Sequence, residues 1–416
     1  MRVLLLTQVL PYPLDSGPRF KTYHILKYLA ERHEVTLASF IRAEDGQGAI
    51  DHLKGLCQAV YTVPMTRSAV QDAGYLLVSL VTGRPFVMLR DERRAMRALV
   101  RQLGAQGNGR PYFDVVHADQ LNMATYALDV PARRRVLGEH DVAWALWRRI
   151  CATLPQGPKR WALEREWRLL RRYQHDISRH FDAILTVSEA DRAAMAEVVA
   201  DPSRIEVLPI AIDPGPGPLP RDPDGPHILH LGTMFYLPNA DGVLWFARDV
   251  YPRIRARLPQ VRFSIVGPHP PPEVRTLADP DAGISVTGYV PDVEPIIRRS
   301  SVLVVPLRAG SGMRVKILTA LAQGLPVVTT TLGYEGIAAV PGRDLLVADT
   351  PQAFAEAVLR VLTDQALARS LAAHGRRLIE QHYDYRVVCR KLEDIYRRQT
   401  ADDGRQTGVY RLRSII

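Results

Sequence analysis

Two kinds of hydrophobic pattern alternate along the chain. The first is a short, continuous apolar run, the kind a strand carries when both faces of its sheet are covered. Such runs occupy Arg2–Thr7 (RVLLLT), His33–Phe40 (HEVTLASF), Asp114–Ala118 (DVVHA), Arg135–Gly138 and Phe181–Ser188 (FDAILTVS). They recur at Ile228–Leu231, Val261–Val266, Ile284–Thr287, Val302–Val305 and Leu325–Thr330. The second is a longer segment whose apolar residues fall three and four apart, on one helix face. It predicts helices over Arg19–Glu31, Val142–Arg149, Trp161–His180, Asn239–Ala256, Met313–Gln323, Ala348–Ile379 and Tyr383–Arg398. Strand and helix alternate, which is the rhythm of βαβ units and parallel sheets, so the fold class is α/β.

The rhythm breaks once, between Asp201 and Pro226. That stretch holds Pro202, Pro209 and the run DPGPGPLPRDPDGP. Proline lacks an N–H and has a fixed φ, so such a run cannot be a helix or a central strand. It divides the chain into one domain over 1–205 and a second over 206–380, followed by a helix over 381–400 and a polar, basic tail over 401–416. Two domains are also what 416 residues suggest.

Composition narrows the class. A hydrophobic content of 47% and a charged content of 24% are those of an ordinary globular protein. The formal charge of +10 calls for an acidic partner: nucleic acid, anionic lipid or a phosphorylated substrate. Cys57, Cys151 and Cys389 are far apart and form no CxxC, which argues against a metal or disulfide framework and suits a reducing cytoplasm. The apolar run Val3–Leu6 is too short for a signal peptide, and no stretch approaches the ~20 apolar residues that span a bilayer.

The most informative chemistry lies between Val304 and Ile337. Gly310-Ser311-Gly312 forms a loop whose backbone can approach a ligand closely, and a helix follows directly. Arg314 and Lys316 are placed in its first turn, where the macrodipole disfavours cations by ~0.3–1 kcal/mol each. Free N–H groups, a helix dipole and two cations together suit a phosphate; a solvated basic helix start is the plainer reading. Elsewhere, Ser16 and Gly17 lie in a turn-rich loop after the first strand, and His117 and His140 sit near the ends of later strands, where open α/β sheets collect ligands. Apolar Ala73–Val81 precedes the arginine-rich stretch Arg84–Arg101, which fits either a contact with an anionic membrane or an ordinary helix pair with a solvated face.

The segments GSGMRVKIL, ALAQGLPVV and EGI resemble the nucleotide-sugar site of retaining glycosyltransferases of family 4. FDVVHAD, Glu139-His140-Asp141 and VTGYVPDVEPII resemble further segments of the same family. The resemblance implies a GT-B fold: two Rossmann-like domains facing each other across a cleft, with the last helix crossing back to the first. It implies donor-binding roles for Gly232, Thr233, Gly288, Tyr289, Ser311, Gly312, Met313, Thr319 and Glu335. Ser16, Gly17 and His117 would lie at the acceptor and diphosphate loop. Catalysis would fall to His140, touching the donor sugar, and to Arg314 and Lys316, stabilising the diphosphate. Two glutamates usual in the family are here Ser311 and Thr319. An arginine and a lysine that many relatives carry look to be Thr233 and Asn239, so Arg314 and Lys316 would supply the missing charge.

The expected activity is transfer of a sugar from a nucleotide-sugar to a glycan or lipid-linked acceptor, with retention of configuration, for polysaccharide or cell-envelope synthesis. No metal and no further cofactor is expected, and no nucleic acid. The expected location is the cytoplasm, with an anionic membrane at the inner face of the plasma membrane as a partner. A non-catalytic nucleotide-sugar-binding protein, or a GT-B epimerase or phosphorylase, is the alternative.

Overall fold

A computed structural model describes residues 1–398 apart from positions 15, 109, 223 and 311, and the backbone alone at 153. Ser311 and the expected tail over 401–416 therefore lie outside the described residues. The chain forms two compact units, Met1–Ala211 with the segment from Val388, and Ile212–Val387.

The first unit holds β1 (Arg2–Thr7), β2 (Glu34–Ile41), β3 (Ala59–Pro64), β4 (Phe113–Asp119), β5 (Ala132–Gly138), β6 (Ala183–Thr186) and β7 (Ile205–Val207). They make one parallel sheet in the order β3-β2-β1-β4-β5-β6-β7. Strand β7 lies inside the proline-rich stretch but at the sheet's edge, where a short strand tolerates such neighbours. The second unit holds β8 (His227–Leu231), β9 (Arg262–Val266), β10 (Ile284–Gly288), β11 (Val302–Val305), β12 (Val327–Thr329) and β13 (Leu346–Val347). They form a second parallel sheet in the order β10-β9-β8-β11-β12-β13. The central strands are buried throughout, as continuous apolar runs require; Val302, Leu303, Val304 and Val305 have no exposed surface. Each sheet reverses its strand order once, between β1 and β4 and between β8 and β11. Ligands of open α/β sheets bind beyond the strand C-termini at such points.

Several helices differ from the pattern reading, each for a local reason. The segment read as Asn239–Ala256 begins at Leu237 and contains a π-helical turn, Phe246–Val250, before it resumes at Tyr251–Arg257. Pro252 follows directly; it can donate no backbone hydrogen bond and would crowd the carbonyl four residues back, and the wider turn makes room. The segment read as Ala348–Ile379 is two helices, Pro351–Thr363 and Gln365–His382. Asp364 ends the first and caps the second, its Oδ1 accepting from the Leu367 N–H at 2.9 Å. The helix expected from Arg19 starts at Gly17, because Pro18 has a preset helical φ in its first turn. Gly17 is therefore the first helical residue and does not lie in the loop, while Ser16 is the exposed, extended N-cap residue before it.

The Tyr385–Arg397 helix completes the first unit from Val388 onward. Cys389, Leu392, Ile395 and Tyr396 are buried there, Tyr28 Oη donates to Glu393, and Lys391 Nζ donates to the Val207 carbonyl.

Candidate functional site

Each unit builds a polar cluster at its own strand-order reversal. In the first, Thr7, Asp119 and Gly138 stand level at the ends of β1, β4 and β5. Asp119 is almost fully buried, yet it gathers three donors. His140 Nε2 lies 2.9 Å from its Oδ1, Lys21 Nζ lies 3.6 Å from the same oxygen, and Thr22 Oγ1 donates to Oδ2. Burial alone would push the Asp119 carboxyl up; His140 and Lys21 outweigh it and hold the group well below the usual carboxylate range. Asp119 is thus ionised, and the His140 nitrogen facing it carries the proton. The other ring nitrogen, Nδ1, meets the Gln120 amide at 3.2 Å. Gln120 holds a φ of 103°, a left-handed conformation unusual for a residue with a side chain, which marks a constrained turn beside the site.

Lys21 comes from the Gly17–Ala30 helix and is buried. Burial lowers its pKa, while Asp119 and Glu139 work against that, and Nζ also approaches the Glu139 carbonyl at 3.3 Å. The Glu139 carboxyl is pushed up to about 8 by burial, against the Gln174 amide that donates to it at 2.7 Å. It is therefore neutral at neutral pH.

His117 sits elsewhere than expected. It pairs with Leu5 and Val136, two residues short of the strand's end, and is buried. Its Nδ1 lies 2.5 Å from Tyr396 Oη, and burial takes its pKa down to about 4. Asp119, and not His117, stands at the end of β4, next to His140. Gly138 makes room for this packing, since a Cβ there would lie 2.8 Å from His117 Nε2.

In the second unit, three glycines stand at the ends of adjacent strands, Gly232 and Gly267 just past β8 and β9 and Gly288 closing β10. Gly232 N donates to the Val266 carbonyl, and Gly267 N donates to the Gly288 carbonyl at 2.9 Å. A Cβ on Gly267 would stand 1.8 Å from the Gly232 carbonyl oxygen, so only glycine fits. On Gly232 a Cβ would come within 2.5 Å of Lys316 Nζ. Lys316 therefore reaches the end of β8 across bare backbone. Its Nζ donates to Asn239 Oδ1 at 2.9 Å, and Asn239 Nδ2 donates to the Thr233 carbonyl at 2.9 Å. Burial, with Arg314 adding repulsion, brings the Lys316 ammonium down to about 7. Neighbouring His230 is fully buried, bonds the Val304 carbonyl through Nδ1 at 2.9 Å, and is driven well below its ordinary pKa by burial. It stays neutral and adds no further positive charge.

The helix behind this cluster runs Val315–Ala322, two residues later than the pattern reading. Arg314 is its N-cap, in extended conformation, and Lys316 is its second residue, so only one of the two cations stands in the first turn. Arg314 is buried and donates to the Gly312 carbonyl; burial lowers its pKa, with Tyr236 and Glu335 working against that. Gly310 and Gly312 take φ of 115° and 80°, which side-chain-bearing residues rarely adopt. The helix ends as expected: Gly324 is left-handed, with Leu325 N–H returning to Ala320 O and Gly324 N–H to Leu321 O.

The structure thus brings together Gly232, Thr233, Gly312, Arg314, Lys316 and Glu335. Met313 is buried, Thr319 is half-buried on the same helix, and Gly288 stands at a bulge with φ 72°. Tyr289 is exposed. Pattern reading missed Asp119, Lys21 and His230 as members of these clusters. The segment FDVVHAD does end in Asp119, an acid closing an apolar strand, which was an available signal.

Known proteins resemble this chain along most of its length. The model of Glycosyltransferase Family 4 matches residues 22–216, and that of Glycosyl transferases group 1 matches residues 225–364. An uncharacterised 44.6 kDa protein of the cps region of Klebsiella pneumoniae is 20% identical over 399 residues, covering 93% of this chain and 97% of its own. Among solved structures, HepE of Anabaena in complex with UDP and glucose aligns with a TM-score of 0.65 at 14% identity, over 95% of this chain and 98% of that one. WaaG, a glycosyltransferase involved in lipopolysaccharide biosynthesis, aligns with a TM-score of 0.61 at 16% identity, over 95% and 99%. With two family models covering one unit each and two parallel Rossmann-like sheets beneath them, this chain belongs to glycosyltransferase family 4, the group 1 glycosyl transferases, and has the GT-B fold.

Proposed function

We propose that the protein transfers a sugar from a nucleoside-diphosphate sugar to a hydroxyl of a glycan or lipid-linked acceptor, retaining anomeric configuration. The observation that carries the reading is Lys316 Nζ lying over bare Gly232 at the strand-order reversal, with Arg314 beside the same helix start. As the bond from the anomeric carbon to the diphosphate breaks, negative charge grows on the departing oxygen. Preorganised cations and N–H donors stabilise that charge most in the transition state. The acceptor oxygen forms the new bond to the anomeric carbon, and its proton passes to the departing diphosphate. His140, held in one tautomer by Asp119, contacts the donor sugar. The reading assigns charge neutralisation to Arg314 and Lys316 rather than to a metal ion.

Similar proteins support the substrate class. HepE has been crystallised with UDP-glucose, and TarM with UDP and a sugar-bearing glycerol. WaaG is a glycosyltransferase involved in lipopolysaccharide biosynthesis, which supports a glycan acceptor of that kind; the same reading has the protein act on the cytoplasmic side of the envelope. Calorimetry with UDP-, GDP- and dTDP-sugars tests the donor site. Arg314→Ala and Lys316→Ala are each expected to weaken binding by about 1.5–3 kcal/mol; unchanged affinity in both would overturn the assignment.

A further inference from the structure

The Ala69–Thr82 helix of the first unit is built inside out. Val70, Leu76, Leu77, Val78, Leu80 and Val81 are exposed, from 44% for Val78 to 84% for Val70. At about 100° per residue these six cover an arc of roughly 200°. The opposite side carries Asp72, Tyr75 and Ser79, and Ser79 is the only buried residue of the helix. A surface helix ordinarily turns its apolar stripe to the core and its polar face to water. Here the polar face is what ties the helix down. Ser79 Oγ donates to the Arg84 carbonyl at 2.7 Å, and Arg165 donates to Ser79 O at 2.5 Å and to Ser79 Oγ at 3.1 Å. The helix is well bounded, with Ser68 capping its start and left-handed Gly83 ending it. It is a formed element with an apolar outer face, not a frayed loop.

The element holding it supplies charge. Arg165 lies on the Pro158–Ser178 helix, and Trp161, Arg165, Arg168 and Arg172 fall within about 60° of one another there. Trp161 is 63% exposed, and Arg168 and Arg172 are exposed, Arg168 pairing with Glu164. An apolar helix thus lies beside a basic stripe headed by a tryptophan. Between Arg67 and Arg101 the chain holds seven arginines against three acidic residues; Arg67 and Arg90 pair with Asp91, Arg84 and Arg97 with Glu92, and Arg101 with Asp129, so the stripe on the Pro158–Ser178 helix carries the charge argument.

We propose that this face docks on an anionic lipid bilayer, with the Ala69–Thr82 helix lying in the interface plane and the Trp161–Arg172 stripe over the headgroups. The charge decides for lipid over a second copy of the chain, whose equally basic stripe would repel this one. At 14 residues the helix is too short to cross a bilayer, and no helix among the described residues is long and apolar enough to do so. Interfacial helices of this kind bury their apolar face to a depth of ~5–10 Å. The surface deepens the lipid-linked half of the proposed function and rests on that reading only for the acceptor.

The test uses the full chain and sedimentation with vesicles of phosphatidylcholine alone or mixed with phosphatidylglycerol. The protein is expected to pellet with the mixed vesicles and to be released by salt. L77Q/V81Q, changing outward-facing residues only, should bind them about tenfold less with an unchanged melting temperature, and R168Q/R172Q should erase the preference for the anionic mixture. Equal binding by wild type and L77Q/V81Q would overturn the proposal. So would a lipid-free dimer, seen by analytical ultracentrifugation, that L77Q/V81Q dissociates, since the face would then belong to a second copy. Calorimetry with UDP-glucose on the same variants keeps the two readings apart: retained donor binding with lost vesicle binding supports this surface without touching the donor site.

Discussion

Lys316 Nζ donates a hydrogen bond to Asn239 Oδ1 at 2.9 Å, across 77 positions of sequence. The ammonium reaches that point only because Gly232 presents no side chain. The pair places a cation at the strand-order reversal of the second sheet, and it holds the cation at a pKa where small changes in surroundings decide its charge.

Donor affinity is expected to depend on pH through Lys316. The diphosphate diester of a nucleotide-sugar keeps a constant charge near neutrality, so only the protein titrates. Lys316 is charged below about 7, and a bound diphosphate raises its pKa. Affinity should be level below pH 7 and fall by up to about tenfold per unit above it, until the pKa of the complex is reached. Stability of the free protein should move the other way. Unfolded lysine titrates at 10.5, so between about 7 and 10.5 the unfolded state binds more protons and the fold gains stability as pH rises. Calorimetric and urea titrations of wild type against Lys316→Met measure both; a wild-type affinity level across pH 6–9 contradicts the assignment.

Two glycines of the second unit's cluster should behave oppositely. In Gly232→Ala the new Cβ meets side-chain atoms only, the tip of Lys316 and the Asn239 amide at 2.8 Å, which can shift without moving backbone. The protein should fold normally while nucleotide-sugar affinity drops by about 1–2 kcal/mol. In Gly267→Ala the Cβ meets the Gly232 carbonyl oxygen at 1.8 Å, and the φ of 155° is also unfavourable. Backbone must move, so the expected loss is in stability, on the order of 2–4 kcal/mol. Equal melting temperatures for the two variants would refute this contrast.

Much of this architecture is legible in the chain, and the omissions have physical causes. Runs such as Val302–Val305 announce buried parallel strands because both faces must be apolar. Gly324 and Pro326 mark the end of the Val315–Ala322 helix, since left-handed φ and a missing N–H are local properties. The start of that helix is less legible, because extended Arg314 fits the same helical spacing as the residues after it. The π-turn at Phe246–Val250 hides behind regular apolar spacing, and only Pro252 signals it. The Lys21–Asp119 pair could not be read at all. Its members lie 98 positions apart, and sheet order alone brings the first helix over the end of β4. The inside-out Ala69–Thr82 helix is ambiguous for the same reason: hydrophobic period does not say which side faces water.

Glu139 should make the first unit less stable as pH rises. Unfolded glutamate loses its proton near 4.5, whereas the buried carboxyl keeps it to about 8. Across that window the folded state binds more protons, so stability falls from pH 4.5 through pH 8. Glu139→Gln keeps the shape and the Gln174 contact without the ionisation. Between pH 5 and 8 the wild type should lose on the order of 2–4 kcal/mol relative to this variant. Parallel urea midpoints at the two pH values would show that the carboxyl is already ionised in the fold.

The last prediction separates Asp119's part in catalysis from its part in the fold. Asp119 pairs with buried Lys21 and holds the proton of His140 on Nε2. Asp119→Asn removes the charge at nearly constant volume, with two consequences. Lys21 is left as a buried cation without its carboxylate, which should cost about 3–5 kcal/mol of stability. The new amide can also donate to His140 Nε2, so the ring is no longer fixed in one tautomer. If His140 contacts the donor sugar, turnover should fall by about 10²-fold or more, with donor affinity nearly unchanged. His140→Ala should lower turnover comparably without the stability loss. The informative variant is the double change K21M/D119N, which replaces the ion pair by neutral groups. Breaking a buried pair is costly, but removing both charges is often close to neutral, so melting temperature should recover. Turnover should stay low, because His140 still lacks the acceptor that fixes its proton. Thermal melts and steady-state rates with the best-binding nucleotide-sugar measure both effects. If turnover returns along with stability, Asp119 serves only to neutralise Lys21, and the positioning of His140 must come from elsewhere.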